Sequence, residues 1–285
     1  MALETAIDGL AFAEGLRWRD SQLWFSDMHA GEVHAWRPPG PDAHDGGTDR
    51  VVARVAGSPS GLGWTPEGDL LIVSMNDRRL LRLHASDPSA AAVAVADLSD
   101  YTPHPINDMI VDPQGRAYIG SFGFDLHGRG ELQPSVVISV DPDGTHRVAA
   151  DDLLFPNGMV ATAAGTLIVA ETFGGRLTAF TIGADGSLEH RRVWADLPDG
   201  VSPDGICLDS AGAVWVASPT TRECLRVLEG GEVTDRVSTG ERMSIACALG
   251  GDAGEDLYVA TSAHLSPATS AHHRDGRIEV TRIGS

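Results

Sequence analysis

Six short apolar runs recur along the chain in one pattern: LWFSD from Leu23, LLIVS from Leu70, AYIGS from Ala117, LIVAE from Leu167, VWVAS from Val214 and LYVAT from Leu257. Successive runs start 47, 47, 50, 47 and 43 residues apart. A repeat of this kind narrows the fold more than any other feature, because each unit must stack on copies of itself to bury its faces. A tight-turn signal precedes each run, as in Pro66-Glu67-Gly68, Pro113-Gln114-Gly115 and Ser210-Ala211-Gly212, so the run closes a hairpin with the segment before it. A third strand follows, for example Glu32–Trp36 or Arg176–Phe180, and an outer fourth such as Val51–Ala53 or Val193-Trp194 completes the unit.

Units of this length with four antiparallel strands are propeller blades. The expected fold is therefore all-β, a six-bladed β-propeller making one domain across residues 1–285. No later outer strand stands behind Arg277–Val280, so the ring is expected to close by adding an N-terminal strand near Ala6 to the last blade. No long segment carries the helical period, which disfavours a parallel α/β arrangement. The Ala-rich stretch Ala90–Ala96 is read as an outer strand, because its place in the repeat outranks local propensity.

Composition fits this reading: 33 Gly and 16 Pro supply many turns. Lys and Arg number 21 against 40 Asp and Glu, and the formal charge of −19 argues against nucleic acid or an anionic membrane surface as a partner. The N-terminus lacks a basic segment followed by an apolar run, and no stretch approaches the length of a membrane span, so a cytoplasmic location is expected. Cys207, Cys224 and Cys247 form no CxxC pair and are expected to be reduced and packed in the interior. Oligomeric state is not encoded in any of these features.

The functional reading comes from one register position. Ten residues before each run stand Ser60, Asn107, Asn157, Asp204 and Cys247, and nine before the first stands Glu14. In a propeller these positions begin the innermost strands and form a ring around the axis at one end of the channel. Two carboxylates and two carboxamides gathered there would repel or stay unsatisfied, and a hard cation resolves both problems. Oxygen donors suit calcium, magnesium or manganese better than a thiol-rich zinc site.

The segments Phe12-Ala13-Glu14-Gly15, Ile106-Asn107-Asp108-Met109 with Asp112-Pro113-Gln114-Gly115, Phe155-Pro156-Asn157-Gly158-Met159 and Pro203-Asp204-Gly205-Ile206 resemble those of the SMP-30/gluconolactonase (regucalcin-like) family over essentially the whole chain. The resemblance implies a lactonase that holds one divalent metal ion on Glu14, Asn157 and Asp204, calcium ahead of magnesium, manganese or zinc. It also implies that Asn107 contacts metal, water or substrate. Sugar-lactonase members carry an Arg two residues before the Asn that matches Asn107. Here that position is Pro105, which speaks against a sugar lactone and leaves the metal ligands untouched.

The expected chemistry is hydrolysis of a small lactone or related ester, with the ion polarising the carbonyl and Asp204 positioning or deprotonating the attacking water. Asn107 orients substrate or water, and Ser60, His104, Phe122 and Phe124 are candidate substrate contacts. The stretch Phe122–Gly130 is a candidate pocket wall, joined by Met28-His29 and Met75–Arg78, which occupy corresponding places after earlier runs. No GxSxG supports a covalent serine mechanism. Asp141-Pro142-Asp143-Gly144 lacks the further acidic ligands of a calcium loop and reads as a tight turn. Ring formation or rearrangement without hydrolysis, and a purely binding propeller, are the alternative functions, since fold does not fix reaction.

Overall fold

The computed structural model describes residues 2–40 and 47–284. Six four-stranded antiparallel sheets are arranged around one axis. Five of them take their strands in chain order from the channel outward. In the sixth, Met243–Gly250, Asp256–Ser262 and Gly276–Arg282 are joined at the outer edge by the N-terminal strand Glu4–Leu10, with Glu4 opposite Val280. Ring closure therefore ties the two ends of the chain together, as the missing outer strand in the sequence requires.

The apolar runs are the second strands, and Leu70–Ser74, Ala117–Ser121 and Val214–Ser218 are buried at every residue. Each is covered on both sheet faces, which explains why these runs read as continuous rather than alternating. Apolar side chains gather into six clusters. Val160, Ile168 and Leu177 of the fourth blade, for example, pack on Ile206, Val216 and Leu225 of the fifth. Burying such side chains stabilises the fold by about 1.5–3 kcal/mol apiece, and that gain exists only when neighbouring blades are docked. The Ala-rich stretch ends in the outer strand Val93–Asp97, and Gly144 N–H closes a turn onto Asp141 O at 2.9 Å, both as expected.

One element was not anticipated. Pro267–His273 forms a short helix, the only one among the described residues, between the second and third strands of the last blade. Pro267 stands in its first turn, where a proline's missing N–H costs nothing. No helix among the described residues is long and apolar enough to cross a membrane.

A candidate metal centre at one mouth of the channel

Glu14, Ser60, Asn107 and Asn157 are each the second residue of an innermost strand, Ala13–Arg19, Pro59–Trp64, Ile106–Val111 and Pro156–Ala161 respectively. Asp204 lies two residues ahead of the corresponding strand, Ile206–Leu208. The sixth position needs correcting. Leu62 pairs with Ile72 in the second blade, whereas Cys247 pairs with Val259 in the sixth, so the sixth hairpin is two residues longer. Counting back ten from Leu257 therefore stops two residues short, on the turn side, and Ile245 holds the place equivalent to Ser60. Cys247 is packed among Trp215, Ala217, Cys224 and Leu257, a buried thiol.

Glycine follows the ring residue in four blades because the inner strands nearly touch. A Cβ on Gly158 would sit 2.5 Å from Ile206 N and 2.6 Å from Asp204 O, and one on Gly205 would sit 2.6 Å from the Ala246 Cβ. These are contacts with backbone or rigid atoms of the next blade, which cannot yield locally. Gly158→Ala is expected to destabilise the fold by about 1–3 kcal/mol, read as a melting temperature lowered by several degrees. An unchanged melting curve would contradict this account of the inner ring.

The polar groups of the ring are organised from the Asn157 side. Its Nδ2 donates to Asp204 Oδ1 at 2.6 Å and to Thr172 Oγ1 at 3.2 Å. Thr172 Oγ1 in turn donates to Pro203 O at 2.7 Å, so the amide is held in one orientation. Asn157 Oδ1 is left buried with no hydrogen-bond partner among the described residues. Glu14, 4% exposed, accepts one bond from Gly15 N–H at 2.9 Å.

A third acid, Asp108, is also buried here, but Arg17 Nη2 reaches across the channel to its Oδ1 at 2.8 Å and to Met109 O at 2.6 Å. That pair neutralises itself. Sequence reasoning assigned neither residue; a basic side chain three positions after Glu14 was the available signal.

Glu14 and Asp204 thus face each other without a cation of their own. Burial, then repulsion from Asp204 and Asp108, drives the Glu14 carboxyl well above its usual range. Burial lifts Asp204 to about 8, with the Asn157 amide pulling the other way and Asp108 adding to the rise. Two raised carboxyls beside an unpaired carboxamide oxygen form a donor set of oxygens only, which fits a hard divalent ion.

A cavity of about 340 Å³ opens above these residues. Glu14, Asn107, Asn157 and Asp204 line it together with Phe12, Met28, His29, Met75, Phe122, Phe155 and residues of two rim segments. Phe124 does not line it; it backs the wall, with ring centroids 5.9 Å from Phe155 and 5.4 Å from Phe173. Ser60 is fully buried outside the lining, and His104 is held by a bond from its N–H to Thr102 Oγ1. Leu265 and Ser266, just ahead of the short helix, complete the rim and had escaped the sequence reading. Their place in the connection that follows the sixth run, as Met28-His29 follow the first, was the signal.

Three other hollows, about 760, 700 and 360 Å³ among the described residues, lie away from this ring and share none of its residues. A second group of possible ligands, Asp27, Glu32 and His34, sits in the first blade. Its acids already have protein donors: Asp27 accepts from Ala11 and Phe12 N–H at 3.0 and 2.8 Å, and Glu32 pairs with Arg54. Glu171 does the same for Leu154 N–H in the fourth blade, so this is the way an acid at the end of a second strand staples the loop entering the inner strand.

The family model described as "SMP-30/Gluconolactonase/LRE-like region" matches residues 12–263. The chain is 27% identical over 264 residues to the pentonolactonase XacC of Haloferax volcanii, covering 87% of this chain and 81% of that one. It is 24% identical to the 6-deoxy-6-sulfogluconolactonase of Pseudomonas putida, covering 86% and 80%. Among solved structures, a calcium-binding protein, regucalcin, of Agrobacterium tumefaciens superposes with a TM-score of 0.78 at 18% identity, covering 99% of this chain and 94% of that one, which speaks to fold alone.

Proposed function

The chain belongs to the SMP-30/gluconolactonase/LRE-like family, and from that premise we propose that it hydrolyses a small lactone or related ester with one divalent cation, calcium first, held by Glu14, Asn157 and Asp204. One observation carries the proposal: two carboxyls pushed far above their usual values share a channel mouth with a buried, unpaired carboxamide oxygen. When bound, the cation supplies Lewis-acid polarisation of the carbonyl and charge for the oxyanion.

The chain's own residues do the rest. Asn157 pins one Asp204 oxygen through its amide, which leaves Oδ2 to orient a water and take its proton. Asn107, whose Nδ2 makes only a long 3.4 Å bond to Pro156 O, is free to turn toward the substrate. Arg17 keeps Asp108 occupied, so the charge left for the cation comes from Glu14 and Asp204. The buried aromatic and thioether walls exclude bulk water from the reacting carbonyl, which strengthens every polar contact there. Chain, fold and site together form a single propeller domain.

Chelation tests this directly. Exhaustive EDTA treatment is expected to reduce hydrolysis across a lactone panel by at least about 100-fold, and added calcium or manganese should restore it. A rate indifferent to both would refute the proposal.

A further inference from the structure

The lining of the cavity divides by depth. Its polar groups, Glu14, Asn107, Asn157 and Asp204, stand on the floor, and the exposed polar groups His127, Arg129 and Ser266 stand at the rim. Between them the buried wall is apolar: Phe12, Met28, Met75, Phe122 and Phe155 are each 5–7% exposed. The pattern follows from the repeat. Met28, Met75 and Phe122 each follow the last residue of a second strand in consecutive blades, and their N–H groups donate to the carbonyls of Phe12, Ser58 and Pro105 in turn. Three equivalent positions thus present Met, Met and Phe to the same space.

The facing positions, two residues before the ring residue in the first four blades, carry Phe12, Ser58, Pro105 and Phe155. Ser58 is the one hydroxyl in that series, and its Oγ accepts a bond from Asn76 Nδ2 at 3.0 Å. Phe122 and Phe155 meet at 4.5 Å with their rings tilted by 36°, and Phe155 leans on Phe124 and Phe173, so the aromatic side is a braced wall. His29, a half-buried polar side chain of the lining, lies against Phe12 and is bonded through Nδ1 to Ser270 Oγ at 2.5 Å.

Building on the lactonase reading, we infer that the substrate is a lactone or ester carrying an apolar alkyl or aryl substituent rather than a polyhydroxylated ring. The carbonyl sits on the polar floor and the substituent fills the Phe/Met wall. A polyol would bring hydroxyls against phenyl and thioether groups with no partners, a penalty of roughly tenfold or more for each one. An apolar substituent gains instead by leaving water, about threefold to fourfold per buried methylene. Flexible methionines on two of the three sides let the wall accept alkyl or aryl shapes.

The test uses 5-alkyl γ-lactones from methyl to hexyl, δ-gluconolactone, and the matching 5-alkyl γ-lactams as non-hydrolysed probes, with the calcium-loaded protein. kcat/KM for the lactones and affinity for the lactams by calorimetry are both expected to rise about threefold per methylene until the cavity is full. Gluconolactone should be the poorest substrate of the set. In Met75→Asn, the hexyl-to-methyl ratio should fall at least threefold. Lactam affinity that climbs with chain length without turnover of any lactone would uphold the apolar substrate class and refute hydrolysis. Chain-length-independent lactam binding, or gluconolactone turned over faster than the hexyl lactone, would overturn the inference.

Discussion

Asp204→Asn is expected to lower kcat/KM for lactone hydrolysis by about 10³-fold or more while leaving the metal-free protein at least as stable as the parent. The two halves of that expectation come from the same geometry. Asparagine is nearly isosteric, so the hydrogen bond from Asn157 Nδ2 to the Oδ1 position at 2.6 Å can persist. What is lost is one of two charges available to a cation and the oxygen placed to take a proton from water, each worth about 10²-fold or more. What is gained is relief of the repulsion that drives Glu14 upward. Initial rates together with thermal melts in EDTA check both. A variant within tenfold of wild-type activity would remove Asp204 from the chemistry, and a large drop in stability would mean that its role is structural. Glu14→Gln should behave differently, because that residue supplies charge rather than a base: its activity should recover in part at high calcium.

The second large effect concerns pH and the ion together. Asp204 is held at about 8 and Glu14 well above its usual range, in both cases first by burial. An acid whose pKa is raised by folding favours the protonated form in the native state. The native protein therefore holds more protons than the unfolded chain between about pH 4 and the raised values, and its stability falls as pH rises through that window. The contribution is complete below about pH 4 and lost by about pH 8 for Asp204.

A divalent ion acts in the opposite sense, since it binds the ionised pair and displaces protons. The calcium-induced rise in melting temperature should consequently be small at pH 5 and larger by at least about 5 °C at pH 8. Other acids act outside this window, among them Asp69, whose carboxyl is lowered first by the Ala85 N–H and so affects stability only at lower pH. Comparing melts with and without calcium at each pH cancels them. A calcium effect equal at both pH values, or greater at pH 5, would contradict the assignment of the ion to these carboxyls.

Much of the architecture was legible in residue order alone. Six runs with their turns specify blades, and the absent outer strand behind Arg277–Val280 called for the N-terminal strand that Glu4–Leu10 provides. Local patterns of this kind are readable because strand alternation, turn chemistry and burial on both faces act over a few residues. The register count succeeded for Glu14, Asn107, Asn157 and Asp204, which share the cavity floor, because one hairpin length relates them to their runs to within a residue. It failed at Cys247, where two extra hairpin residues move the position to Ile245.

Residue order by itself determined a propeller of six blades, its closure, and the four side chains that share the cavity floor. Only the tertiary structure decided that Arg17 spends its charge on Asp108, that Asn157 turns its amide to Asp204 and strands its own oxygen, and that Phe122 and its neighbours in the wall enclose an apolar chamber. The physical reason is range. A repeat is written in contacts between residues near in sequence, whereas the charge balance and polarity of the channel depend on partners 47 to 91 residues apart, brought together when the ring closes.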